Sequence, residues 1–474
     1  MTSCVLSLFF LVSLCFSVSA VDPTGLRVRI TNQSLDVLKG VGLEFLKELE
    51  NKRSDFSFQW KALKCSIKGL TLTRITVNPA QVVLSFQQNS GLQFEIQNLV
   101  FTGDLEREIN LCLWGEFNIN SGRTAFGGAG VSARIAVTLN RNQQGRLSVQ
   151  MPTCEFRADN IVSGSTGIVG RALDLLIRVF QNYFTTQICP AVQTYVVPKV
   201  NSMLESFTMV TPLYEDLGIN VDYSLSGDVA VTSNSLDVPF KGLVFRQGET
   251  VDAGSIRKGA DPVFRESNLM AYVGVSEFFF NSAIMSFYST GTMVQVEQVT
   301  HQAAKAALKA LQLFRQPSRL RDPLSAELQV TEAPSISISE RDGLTVNARA
   351  RVQVFAVPAQ RQQEQLLSVS ATCTVNMKVA IQGNYLTLPS DNVSCKIITK
   401  NEIRDFMVKP LNSFLTDKLR GFLRGVFLKG AKIPLPEEVG FTQGKIDYHD
   451  GFLVVGGTLN VTPAGGKTLL QNFG

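Results

Sequence analysis

The chain has 474 residues, beyond the size at which one hydrophobic core keeps growing, so two or more domains are expected. Apolar residues make up 45% and charged residues 18%, a balance that excludes extensive disorder. The formal net charge of +5 is too small over this length to mark a nucleic-acid binder, and no zinc-finger spacing or aromatic RNA-binding signature supports one.

Residues 1–20, "MTSCVLSLFFLVSLCFSVSA", are uncharged, apolar in the middle and end in small residues. They read as a secretory signal cut before Val21, although no Lys or Arg lies near Met1. A membrane anchor is the competing reading, and Asp22, Pro23 and Gly25 directly after the run argue against it. Phe278 to Val296, the longest uncharged run elsewhere, carries Asn281, Ser282, Ser286 and Ser289, which hydrocarbon would reject. Outside the signal the cysteines are Cys65, Cys112, Cys154, Cys189, Cys373 and Cys395, an even set that suggests disulfides in an exported chain while leaving their pairing open. Asn32, Asn392 and Asn460 head glycosylation sequons.

"SLDVLKGVGLEFLKELE" places Leu35, Leu38, Val41, Phe45 and Leu49 on one helical stripe. From Phe56 to about Met151 the apolar period becomes two, with turn residues between the runs, which predicts a meander of antiparallel strands. A helix follows at about 166–188, with Leu173, Ile177, Phe180 and Phe184 on its apolar face. The same grammar recurs: a helix over 299–314, alternating segments from Leu328 to Ile397, and a long helix over about 401–429. That last helix carries Phe406, Leu411, Phe414, Leu415 and Leu419 on one stripe and closes at Gly430. Two similar halves are expected, occupying residues 21–215 and 269–440, with 216–268 and 441–474 supplying strands to a joining sheet.

Nothing in the sequence calls for catalysis. His301 and His449 are the two histidines, and neither sits near a nucleophile motif or a metal-ligand spacing. "GGAG" at 127–130 reads as a turn. No catalytic residue, metal or cofactor is expected.

"MAYVGVSEFFFNSAIMSFYSTG", "LGINVDYSL", "SNSLDVPFKG", "QNYFTTQICPAV", "KIPLPEEVGF" and "HDGFLVVGGTLNV" together resemble the lipid-transfer and lipopolysaccharide-binding family, of the bactericidal/permeability-increasing type. The resemblance spans the mature chain in order, and "SEFFFNSA", "IPLPE" and "GFLVVGG" are most similar to its phospholipid-transferring members. It implies an α+β boomerang: two similar elongated antiparallel barrels, each wrapped on a long helix, joined by a central antiparallel sheet, with an apolar pocket in each barrel. It also implies that Cys154 pairs with Cys189. Cys373 and Cys395 flank a hairpin and are candidates for a second bridge, and Cys65 with Cys112 for a third.

In "SEFFFNSA" a strand over Met270–Val275 leads into a helix capped by Ser276 and ending near Gly291. Phe280, Ala283, Ile284 and Phe287 then form one stripe with Phe279 on its flank, and Phe278 turns to the central sheet. The expected lipid pocket is lined by Leu38, Phe45, Leu173, Ile177, Phe180, Phe184, Phe280, Ile284, Phe287, Phe406, Leu411 and Phe414, with ordinary core packing as the competing reading. Residues 105–122 resemble the hairpin at a barrel tip, where Leu113, Trp114 and Phe117 would meet a membrane or lipoprotein surface. Asp104 to Glu116 sets four carboxylates against Arg107 alone, so an acidic tip that repels lipid A phosphates is expected. The basic run from Lys52 to Arg74, including Lys64 and Lys68, reads as a solvated strand face.

The expected function is that of a secreted, monomeric carrier that holds phospholipid acyl chains and moves phospholipids between lipoproteins or membranes without chemistry. An innate-defence lipopolysaccharide binder on the same scaffold is the alternative, and a secreted hydrolase the third possibility.

Overall fold

The computed structural model describes residues 22–461 except 38, 41–42, 44–49, 52, 61, 164–188, 191–192, 195–196, 292–293, 299–322, 358–361, 389, 399–411, 413–414, 418, 421–429 and 434–438. The expected helices over 166–188 and 299–314 therefore lie outside the described residues, as does most of those over 35–49 and 401–429. Within the last, Leu415 and Leu419 are helical and buried.

Alternation of apolar and polar residues builds two large antiparallel sheets. The first runs β2 (Arg53–Trp60), β3 (Leu63–Thr76), β5 (Gly91–Cys112), β6 (Glu116–Arg141) and β7 (Leu147–Ser163), with β4 (Val82–Gln87) paired to β5. The second repeats that plan as β14 (Val294–Gln298), β15 (Leu324–Val330), β17 (Gly343–Ala356), β18 (Glu364–Met377) and β21 (Ser390–Ile398), with β16 (Ser335–Ser339) paired to β17. In β17, Val346, Ala348, Ala350 and Val352 are buried while Asn347, Arg349 and Arg351 are exposed, which is what a sheet with one covered face requires.

A third six-stranded sheet gathers segments from both ends of the chain. Its order is β10 (Ala230–Val231), β11 (Ser235–Phe240), β1 (Leu26–Thr31), β13 (Ala271–Ser276), β24 (Phe452–Val461) and β23 (Val439–His449). Two small sheets complete the fold: β12 (Leu243–Arg246), β9 (Ile219–Asp222) and β8 (Val210–Tyr214); then β19 (Ala380–Gln382), β20 (Tyr385–Thr387) and β22 (Ala431–Lys432). Helix α1 (Val197–Ser206) packs against β7 through Asn201, whose amide accepts from Val149 N and donates to Val149 O.

"GGAG" is not a turn. Residues 127–130 lie inside β6, where missing side chains make room for aromatic rings. A Cβ at Gly128 would stand 2.4 Å from the Phe101 ring, and one at Gly103 would stand 2.7 Å from the Phe126 ring. The two rings meet edge to face at 5.8 Å. A register shift nearby, between Leu99 and Phe101, absorbs the distortion.

All three phenylalanines of "SEFFFNSA" are buried, because helix α2 (Glu277–Ser289) is enclosed on nearly every side and only Met285 is exposed between Glu277 and Phe287. Ser276 occupies the N-cap position, yet its hydroxyl makes no capping bond and donates instead to Gly25 O at 3.4 Å. Paired polar side chains one turn apart join α2 to both neighbours. Asn281 accepts from Ile336 N at 2.8 Å and donates to Ile336 O at 3.0 Å, while Glu277 Oε1 accepts from Ile338 N at 2.8 Å, so these two residues complete the edge of β16. On another side Ser282 Oγ accepts from Val244 N and Ser286 Oγ donates to Val244 O, both at 3.0 Å, which ties the helix to β12. Buried backbone groups that would cost free energy if unpaired are thereby satisfied by side chains.

Candidate functional site

An apolar cleft opens where α2 meets the two small sheets. Phe279, Phe280, Ala283 and Phe287 of α2 form its floor, Leu213 and Tyr214 of β8 one wall, and Leu386, Leu388, Gly430 and Ala431 the other. Its empty volume, mouth included, is about 390 Å³. The Tyr214 and Phe287 rings meet edge to face at 4.7 Å, and those of Phe279 and Phe280 at 5.4 Å. Gly430 adopts φ of +70°, and a Cβ there would lie 2.8 Å from Leu386 O, so this margin of the cleft admits no side chain.

No charged side chain lines the cleft. Tyr214 brings the one ionisable group, and burial pushes its phenol up to about 12, so it is neutral in ordinary buffers. Behind the cleft the Tyr223 hydroxyl donates to Lys432 O and links the two small sheets; burial also raises its pKa. Such a site can shelter hydrocarbon and offers nothing to attack an ester.

Of the pocket residues named from the sequence, Phe280 and Phe287 line this cleft, and Ile284 is buried in the adjoining core without lining it. Leu38, Phe45, Leu173, Ile177, Phe180, Phe184, Phe406, Leu411 and Phe414 lie outside the described residues. Sequence reasoning missed Leu213, Tyr214, Leu386 and Leu388. The alternation of "YLTL" marks Leu386 and Leu388 as facing one way, but only the fold brings them to α2.

The β5–β6 hairpin carries the exposed apolar residues Leu113, Trp114, Phe117 and Ile119 at and beside its turn. Trp114 is 87% exposed and touches the Phe117 ring edge to face at 6.3 Å. The tip is not acidic: Lys64 pairs with Glu116 at 2.7 Å, Lys68 with Glu108 at 3.2 Å and Arg123 with Glu106 at 3.1 Å. With Asp104 and Arg107 added, four carboxylates meet four cations, because cross-strand neighbours supply the charges that a reading along β5 alone omits. The hydrogen bond to Glu116 holds the Lys64 pKa above its ordinary value, and the one from Lys68 holds the Glu108 pKa below its own.

Cys154 on β7 is bonded to Cys189, and Cys373 to Cys395 directly across from it on β21. Cys112 is a free thiol, so there is no Cys65–Cys112 bridge. In the strand register Cys65 stands opposite Ile109, three residues from Cys112. Asn32, Asn392 and Asn460 are exposed.

Residues 215–461 match the model of the LBP / BPI / CETP family, C-terminal domain. The chain is 25% identical to the phospholipid transfer protein of Homo sapiens over 462 residues, covering 92% of this chain and 90% of that one. It is 22% identical to the lipopolysaccharide-binding protein of Bos taurus over 460 residues, covering 91% and 92%. A crystal structure of lipopolysaccharide binding protein superposes with a TM-score of 0.57 at 17% identity, over 93% of this chain and 99% of that one, a likeness of fold.

Proposed function

Because this chain belongs to the LBP / BPI / CETP family, we propose that it is a secreted, non-enzymatic carrier that holds phospholipid acyl chains and transfers phospholipids between lipoproteins or membranes. The observation that carries this reading is the cleft on α2, apolar on all sides and free of charged groups. Each methylene of an acyl chain that such a cleft shelters is spared about 0.8 kcal/mol of contact with water. Residues 21–215 and 269–440 would be the two lipid-binding units, joined by strands from 216–268 and 441–474, with residues 1–20 directing export. The nine pocket residues outside the described set would extend the apolar lining. Leu113, Trp114 and Phe117 would dock the hairpin on the lipid surface.

The test is transfer of labelled phosphatidylcholine between vesicles, run alongside Ala283→Leu, which places a branched side chain in the cleft. Transfer by the native protein with acyl esters intact is expected, as is a several-fold slower rate in the variant at a stability cost of about 1–3 kcal/mol. Released fatty acid would make the protein a hydrolase. Tighter binding of lipid A than of phosphatidylcholine vesicles would favour the lipopolysaccharide reading suggested by the 22% identical relative.

A further inference from the structure

The two walls of the cleft are attached to their surroundings in different ways. Ser282 and Ser286 bond α2 to Val244 of β12, and β12 shares a sheet with β8, so the floor and the wall of Leu213 and Tyr214 form one unit. The opposite wall belongs to a separate sheet of order β19–β20–β22. Its β19 side hangs on β23 through side chains and not through a backbone ladder. Gln443 Oε1 accepts from Ile381 N at 2.6 Å, and the Tyr448 hydroxyl accepts from Val379 N at 3.2 Å. In the turn after β19, Asn384 donates to Val439 O at 2.8 Å and accepts from Phe441 N at 3.2 Å.

The other edge of this sheet is β22, and there the Tyr223 hydroxyl donates to Lys432 O. Tyr223 directly follows β9 and is 5% exposed, so this bond crosses from one wall to the other inside the protein. Burial raises the Tyr223 pKa, and the hydroxyl keeps its proton in ordinary buffers. Between the two edges, Leu386, Leu388 and Ala431 face the cleft and are buried, while Tyr385 is exposed on the outside. A three-stranded sheet held by side-chain bonds along one edge opens at a lower free energy than the core beside it. Lifting it uncovers leucines and the phenylalanines of α2, which costs least at a lipid surface, where hydrocarbon takes the place of water.

We propose that β19–β20–β22 is a flap over the cleft, hinged on β23 and latched by Tyr223, which lifts to pass an acyl chain. Tyr223 is a positioning residue in this scheme, since it lines no part of the cleft. The role rests on the cleft being the acyl-chain site.

Stopped-flow uptake and release of a pyrene-labelled phosphatidylcholine by the full chain, together with amide hydrogen exchange, tests it. Tyr223→Phe keeps the ring and removes the hydroxyl. Uptake and release are both expected to quicken about threefold to tenfold with the affinity unchanged, because a latch sets how often the flap opens and not what the cleft holds. Unchanged rates, or an altered affinity without a matched rise in both rates, would overturn the latch. In the native protein the amides of β20 and β22 should exchange ahead of those of β17 and β18, and further ahead in the variant. Exchange of all four strands together in the native protein would show that the sheet opens only with the core, and would overturn the flap even if the variant failed to fold. No uptake by the native protein, with β20 and β22 still exchanging early, would instead defeat the carrier reading, and with it the passage of acyl chains, while the motion of the flap stood.

Discussion

Strand for strand, β2 to β7 and the set β14 to β18 with β21 follow one plan, including the side strand that pairs only with its successor. Their described residues pack differently. The second sheet, the central sheet and α2 share one continuous core, to which the first sheet contributes none of the described residues. The first sheet keeps small separate clusters, such as Val131, Ala158 and Ile161, and runs its central hairpin through 22 and 26 residues where β17 and β18 have 14 each. A strand of that length reaches on the order of 70 Å, well past any core it could share. The lesson is that one topology can serve as a packed wall or as an outrigger, depending on hairpin length and on which face is filled.

The comparison breaks hardest at the disulfides. The Cys154–Cys189 bridge closes a loop of sequence separation 35 and Cys373–Cys395 one of 22. Chain entropy then gives about 3.8 and about 3.4 kcal/mol. Replacing each pair with alanines should therefore lower stability by similar amounts, measured by urea unfolding. A much smaller loss for Cys373 and Cys395 would mean that the shared core already holds β18 to β21 without the bridge.

Next in size is Asn281→Ala, which strips Ile336 of both its side-chain partners in a buried seam and should cost about 2–3 kcal/mol. Amide hydrogen exchange shows where the loss falls. Faster exchange is expected in β16 and β17 with β5 and β6 unchanged; equal acceleration in both sheets would mean that they unfold as one unit.

How much of this was legible beforehand follows from the range of the interactions. Period-two runs such as β17 reveal strands locally, and the repeat of the strand meander was visible because it is architecture written in periodicity. "GGAG" misled because glycines in a row signal a turn, whereas their cause is the Phe101 ring arriving from the neighbouring strand. The tip was misjudged as acidic because Lys64 and Glu116 are paired across 52 positions of sequence. Four of the cleft's ten lining residues were readable: the α2 stripe declares itself at helical spacing, while Leu213, Leu386 and Ala431 reach it only through tertiary folding.

A smaller effect on stability, and a sharper one on function, belongs to the outrigger. Trp114→Glu should leave the unfolding midpoint within about 0.5 kcal/mol, since the side chain is 87% exposed. Phospholipid transfer should slow roughly fivefold if the indole contributes about 1 kcal/mol of interfacial anchoring. An unchanged rate would reduce the tip to cross-strand packing, as in its contact with Phe117.

The least effect on stability is expected from pH, and its sign follows from the charge ladder. Glu108 titrates below its ordinary value of 4.5 because Lys68 and then Asn110 donate to it. Its favourable pairing is present above 4.5 and lost as pH falls through the depressed folded value. Lys64 titrates above 10.5 through its bond to Glu116, so that pairing is present below 10.5 and lost as pH rises through the raised value. At neutral pH the tip is balanced and should be indifferent to the charge of a bilayer. Once pH has fallen through the Glu108 value that carboxylate no longer offsets Lys68, and affinity for anionic vesicles should be higher than at neutral pH while neutral vesicles bind as before. Trp60→Phe leaves Trp114 as the sole tryptophan, and its emission shift on adding vesicles of either charge reads the effect directly. Tighter binding of anionic vesicles at neutral pH would show that the four acids do not offset the four cations, and that the outrigger is a basic surface after all.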